Sequence, residues 1–187
     1  MYTSMKKKRK VNLNSLIEDK DERKRQKIVG TTRVFFDGGS IVAALCRKIR
    51  HKDTAFVMGC SCWFTNTKII GAMANHLKGC CMIVTKDKIT KAETTKKKYR
   101  TLPIYSESAV RVIGHGSGYT KSLMHHKFLV GLNEAGDALW VSNGSFNMTE
   151  GATSHLENCM IISDPEIANV FLDEFVNVFK ISRPLVI

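Results

Sequence analysis

This chain lacks any run of apolar residues long enough to cross a bilayer, and its N-terminus lacks the apolar centre of a secretory leader. Those absences argue against an integral membrane or exported protein and lead us to expect a cytoplasmic or nuclear one. A zinc knuckle is missing too. Among the cysteines Cys46, Cys60, Cys62, Cys80, Cys81 and Cys159, the close pairs are C-x-C and C-C, not the two-to-four-residue spacing that tetrahedral zinc favours. They sit in apolar runs, read as small buried thiols in a reducing compartment, and no metal or other cofactor is expected. No internal repeat is visible. With 187 residues and 43% hydrophobic side chains, one chain can bury a sizeable core.

Acidic residues are also scarce, but only in part of the chain. Residues 1–27 carry ten basic and four acidic side chains, residues 28–85 seven and two, and residues 86–100 seven and two. Residues 101–187 reverse this with five basic and nine acidic, leaving a net charge of +12. Concentrated positive charge favours a polyanionic partner, nucleic acid first, with an anionic membrane surface a poorer candidate. Lys96, Lys97, Lys98 and Arg100 are the expected nucleic-acid contacts. Lys6-Lys7-Lys8-Arg9-Lys10 resembles a nuclear import signal, which would make an import receptor a partner; a basic arm gripping phosphates is the competing reading. Residues 1–30 are expected to be a mobile basic arm and 31–187 the folded domain.

Within the domain, strands and helices alternate. Arg33–Phe36 reads as a strand leading to a helix capped by Ser40 and running to about Ile49. Thr54–Met58 reads as a buried strand, Asn66–Lys78 as an amphipathic helix and Gly79–Val84 as a second buried strand. Residues 86–101 are too polar for a core and read as a loop or short helix. Strands follow at Ala109–Ile113, Lys127–Val130, Ala138–Val141 and Cys159–Ile162, with a glycine-rich loop around His115. After Asp164-Pro165 a helix is expected, with Ile167, Val170, Phe171, Glu174, Phe175 and Val178 on its packed 3.6-residue stripe and its aromatics in the core.

The chemistry concentrates between residues 124 and 158. His125 and Lys127, one residue apart on a strand, face the same side because side chains alternate there. A nucleophile or proton carrier thus stands beside a fixed positive charge. Gly144-Ser145-Phe146-Asn147 adds a hydroxyl and an amide on a tight turn, and Glu157-Asn158 follows. Such groups can hold a phosphate, attack it and stabilise its oxygens without a metal. An isolated H-x-K is more often a core histidine, and Ser145 and Asn147 alone would build only a turn; the linked segments favour a site.

These residues resemble the phospholipase D superfamily signature, H-x-K-x4-D-x6-G-S-x-x-N. His125-His126-Lys127 matches its start, and Asp137, six residues on, leads to Gly144-Ser145-Phe146-Asn147, as in small single-motif nucleases of the superfamily. Nine residues rather than four separate Lys127 from Asp137, and Leu132 holds the aspartate's position; Leu132–Gly136 reads as a lengthened hairpin tip. The resemblance implies an α/β fold, a mixed sheet flanked by helices. It also implies a phosphohistidine mechanism in which two H-x-K motifs meet. This chain holds one, so a homodimer would complete the site, each His125 serving as nucleophile or general acid. The implied site residues are His125, Lys127, Ser145, Asn147 and Glu157, the last fixing the imidazole tautomer, with Asp137 as a further member. A nuclease is expected, with a lipid hydrolase and a silent nucleic-acid-binding scaffold as alternatives.

Overall fold

The computed structural model describes residues 12–16, 26–114 and 123–187. The segments Lys6–Lys10 and the loop residue His115 lie outside them. Among the described residues nine strands form one mixed sheet. In chain order they are β1 (Gln26–Val29), β2 (Thr32–Phe35), β3 (Phe56–Ser61), β4 (Gly79–Thr85), β5 (Val110–Ile113), β6 (Lys127–Leu132), β7 (Ala138–Gly144), β8 (Cys159–Ile162) and β9 (Arg183–Pro184). Across the sheet the order is β1-β2-β8-β7-β6-β3-β4-β5-β9. Only β3, β4 and β5 run parallel; the other pairings are antiparallel. The α/β mixed sheet expected from the sequence is therefore the fold. β1 lies inside the stretch expected to be a mobile arm: Gln26–Val29 pair with Thr32–Phe35, so the sheet begins five residues before the expected boundary at 31.

Local chemistry sets the helices. α1 (Gly38–Ile49) is capped by Asp37, whose carboxylate accepts from the Ser40 amide, so the cap lies three residues before the serine expected there. α2 (Thr67–His76) starts at Asn66, which accepts from the Lys68 and Ile69 amides. The lysine-rich segment forms two short helices, α3 (Lys88–Lys91) and α4 (Glu93–Tyr99); Tyr99 is buried and its hydroxyl donates to the Phe64 carbonyl at 2.7 Å. α5 (Pro165–Ile181) opens on Asp164 with proline in its first turn.

One apolar cluster joins α1, α2 and α4 to one face of the sheet, and another joins α5 to the opposite face. The buried stripe of α5 is Ala168, Phe171, Leu172, Phe175, Val178 and Phe179. Ile167 and Val170, expected inside, are 40% and 66% exposed. The stripe is rotated by about one residue, with Ala168 rather than Ile167 against the sheet. Its C-terminal end is tied down by Arg111 of β5, which donates to the Ser182 hydroxyl and carbonyl and lies 3.9 Å from the centre of the Phe179 ring.

The β6–β7 hairpin is held by Trp140, buried at 2% exposure, whose indole donates to Thr54 Oγ1 at 3.1 Å. Its ring lies against Gly131, where an added Cβ would come within 2.2 Å of it. Gly131→Ala is expected to lower stability by about 1–3 kcal/mol through overpacking, read from the urea midpoint. An unchanged midpoint would show that the ring has room to move.

Candidate active site

The carboxyl ends of β3 and β4, the start of β6, the end of β7 and the start of β8 meet at one end of the sheet. Ser61 stands opposite Lys127, and Gly144 opposite Cys159. In open α/β sheets this end is where ligands bind. Two side chains at the strand ends fasten the approach to β6: Cys62 Sγ and Thr85 Oγ1 each donate to the Met124 carbonyl at 3.0 Å. The backbone just before His125 is thereby pinned to β3 and β4.

Lys127 is buried at 8% exposure. Its ammonium donates to His125 Nδ1 at 3.1 Å and to the His125 carbonyl at 2.8 Å, with Cys62 Sγ at 3.6 Å. Each of these partners is neutral. A buried ammonium satisfied by neutral acceptors keeps its charge for an incoming anion. Burial, then the Lys127 charge, then His126 hold the His125 imidazole below its ordinary pKa. The ring is exposed and neutral at neutral pH, so it carries a lone pair for attack. Cys62 responds to the same pair in the opposite sense: burial pushes its thiol up, and Lys127 only partly offsets that.

The Gly144–Asn147 turn is clipped to the segment entering β8. Ser145 N and Phe146 N donate to the Asn158 carbonyl at 3.1 and 3.3 Å, and Asn158 N donates to Ser145 Oγ at 3.0 Å. A Cβ on Gly144 would meet the Asn158 carbonyl oxygen at 2.3 Å, so only glycine permits this approach. Ser145 Oγ donates to the Glu157 carboxylate, which is also 3.8 Å from His155 Nδ1. Asn147 Oδ1 is buried without a hydrogen-bond partner among the described residues. An unpaired buried acceptor costs about 1–3 kcal/mol, and only the Nδ2 end of this amide could meet a phosphate oxygen.

Not all the expected site residues fall here. Asp137 sits at the far tip of the β6–β7 hairpin, where it accepts from Asn133 Nδ2 and its amide donates to Asn133 Oδ1, both at 2.8 Å. The length of β6, roughly 17–20 Å, separates it from Lys127. Asp137 is a turn former, because the extra residues extend the hairpin away from the site. Glu157 carries a second correction, since its carboxylate accepts from the Ser145 hydroxyl and Lys127 donates to the His125 Nδ1 that Glu157 was expected to orient. His126 points elsewhere, its Nε2 lying 3.1 Å from Glu174 Oε1 of α5.

The basic cluster of α4 divides. Lys98 is half-buried and donates to the Thr65 carbonyl at 3.0 Å, and Arg100 pairs with Glu93 at 2.6 Å. These two hold structure, while Lys97 is exposed and Lys96 half-buried on the same helix. Phe64 is buried, and Trp63, half-buried, donates from its indole to Asp87. Cys62 and Thr85 are the positioning residues that sequence reading missed; their one signal was a place at the end of a buried strand.

Over residues 45–179 the chain matches the family described as "Cardiolipin synthase, PLD-like domain". It is 26% identical over 166 residues, 68% of this chain, to an uncharacterized protein of Acanthamoeba polyphaga mimivirus, and spans 59% of that protein's length. Its fold is similar to that of Nuc from Salmonella typhimurium, a phospholipase D family member, with TM-score 0.58 and 18% identity across 82% of this chain and 98% of that one. NucT from Helicobacter pylori gives TM-score 0.64 and 12% identity over the same shares, 82% and 98%. An archaeal chromatin protein, described as showing a novel mode of DNA binding, gives 0.53 and 12% across 92% of this chain and 58% of that one.

The geometry generates two expectations. In ring-proton NMR, His125 titrates below the ordinary histidine value, and Lys127→Met raises its midpoint; a wild-type midpoint at or above that value would remove the neutral nucleophile. Because the folded pKa is depressed, the unfolded chain takes up the proton first, so His125 costs stability as pH falls through the unfolded value. Asp137→Ala lowers stability by about 1 kcal/mol or less through the lost turn hydrogen bonds and leaves intact any activity that His125→Ala abolishes.

Proposed function

This chain belongs to the phospholipase D-like family, and we propose from that premise that it hydrolyses phosphodiester bonds of nucleic acid through a phosphohistidine. The observation that carries the reading is the buried Lys127 ammonium, held by neutral groups against the neutral imidazole of His125. A phosphate entering this end of the sheet draws the ammonium onto a phosphoryl oxygen. In the resting geometry Nδ1 of His125 accepts from Lys127, so the neutral ring carries its proton on Nε2; once the ammonium has moved to the phosphate, exchange with solvent returns the proton to Nδ1 and leaves Nε2 bare. Nε2 then attacks phosphorus with its lone pair as the phosphorus–oxygen bond of the leaving strand breaks.

The departing oxygen needs a proton, and one chain supplies one H-x-K. A two-fold dimer presents the partner subunit's His125 from the opposite side of the phosphate as general acid, once that ring has taken a proton from solvent as the anionic phosphate offsets the Lys127 charge that keeps it neutral in the free protein. That histidine, now neutral, next takes a proton from water. The hydroxide so formed attacks phosphorus, breaks the phosphorus–nitrogen bond and restores both imidazoles. Lys127, Ser145 and the amide of Asn147 carry the charge on the phosphoryl oxygens throughout.

Nucleic acid is favoured as substrate because the excess positive charge lies on the residues that precede the catalytic half. A lipid phosphodiester is the second reading. It is favoured by a groove of about 780 Å³ beside His125, walled by Ile113, Leu123, Met124, Val178 and Ile181. Among the described residues no helix is long and apolar enough to cross a membrane.

The test is cleavage of labelled single- and double-stranded DNA and RNA in excess EDTA. Wild type is expected to cut at least one, and His125→Ala and Lys127→Met to lose roughly a thousandfold or more. Light scattering should give a dimer. Binding without cutting by any form would leave a silent scaffold, and turnover of phospholipid vesicles alone would transfer the site to lipid. A strictly monomeric active enzyme would remove the shared site.

A further inference from the structure

α1 and α2 lie side by side and run the same way, from the catalytic end of the sheet to the other. Gly38 at the head of α1 packs on Thr153, and Thr67 at the head of α2 is bonded by its amide to Glu150 at 2.7 Å. A groove of about 780 Å³ follows the two helices, floored by Gly39, Ala43 and Gly71. On the other side of α1 a second groove of about 370 Å³ lies against β2 and β8, and both grooves share Arg47. Six cations line the two: Arg33, Arg47, Lys48, Arg50, Lys52 and Lys68. No aspartate or glutamate lines either groove among the described residues.

A basic last turn on α1 would by itself be ordinary, since Arg47 and Lys48 complement the negative end of the helix. That explanation does not reach Arg33 on β2, Lys52 beyond the helix or Lys68 at the opposite end of α2. Nor does it account for six cations in a lining that holds no carboxylate among the described residues. Lys48 is held below its ordinary pKa by burial and then by Arg33, and among the described residues its ammonium donates to the Ser163 hydroxyl at 2.8 Å. Asp53 is turned to His51 at 3.5 Å, and Glu150 at the head of α2 is bonded to the Thr67 amide. Such repulsion is relieved by a bound polyanion. The floor of small residues lets a backbone come close, and the lining offers few exposed apolar groups to enter a bilayer.

We propose that α1 and its flanking grooves form a second site for the phosphate backbone of a nucleic acid strand, leading away from the catalytic end of the sheet. The twelve residues of α1 span roughly 18 Å, about five nucleotide steps of one strand. This track makes long strands better ligands than short ones and binds them whether or not His125 is present. It rests on the nucleic-acid reading above for its ligand only, not for the chemistry.

The experiment is fluorescence anisotropy of labelled 30-nucleotide DNA and RNA against the full chain carrying His125→Ala, across a salt series. Two variants are added to that background. Gly71→Glu puts a carboxylate into the groove at a position where an added Cβ meets nothing within 4 Å. Replacing a mid-helix glycine should leave the melting temperature unchanged or raised. The second variant combines Arg47→Glu with Arg50→Glu. Each is expected to weaken binding roughly tenfold or more, and the double variant to reduce the salt slope by about 1.5. Unchanged binding by folded variants would overturn the track and leave the catalytic reading standing, since cleavage is scored separately. No binding by the His125→Ala parent at low salt would also overturn it. So would variants that lose only phosphatidylglycerol vesicles, which would make the face a membrane contact.

Discussion

The ammonium of Lys127 is buried at the end of a sheet where the described neighbours that hold it are a histidine nitrogen, a carbonyl and a thiol. A charge so placed is expensive unless something anionic joins it. Much of the surrounding structure makes that placement tolerable. β6 begins at Lys127, so its backbone is fixed by pairing with β3, and Cys62 and Thr85 hold the preceding carbonyl. The same charge, after burial, keeps His125 neutral. One buried cation therefore both awaits the phosphate and prepares the nucleophile.

The sheet turns this local chemistry into a site. Because β3 and β4 are parallel while β6, β7 and β8 alternate, the ends of five strands reach one edge, and their side chains converge there. Gly144 is the hinge of that convergence, since only its missing side chain lets the Ser145 turn close on Asn158. α5 seals the face opposite α1 and α2, and its anchoring through Arg111 and Phe179 supports one wall beside His125 and His126. Catalysis and stability draw on different layers. The Asp137 tip can vary in length because it lies at the other end of the hairpin.

Charge is organised at a larger scale than the site. In α4 two of four expected contacts are consumed by the fold, Lys98 on a carbonyl and Arg100 on Glu93. The α1 face instead collects cations from β2, α1, the loop after it and α2. A run of lysines in sequence thus overstates one surface, and scattered arginines understate another.

The order of the strands from β2 to β8 and of α1, α2 and α5, the buried thiols and the family resemblance were legible in the sequence. Each depends on neighbours within a few residues: alternation, a capping side chain, a turn, a motif. What was illegible depended on partners far along the chain. The rotation of α5 was set by the sheet beneath it, the roles of Cys62 and Thr85 by a carbonyl some forty to sixty residues away. The turn role of Asp137, the diversion of Glu157 to Ser145 and the cationic grooves were likewise decided in three dimensions. The sequence by itself determined which groups are present and which side of a strand they share, because backbone periodicity is local. The tertiary structure decided which of them meet and which charges stay unpaired, because burial and hydrogen bonding are contests among all neighbours in space.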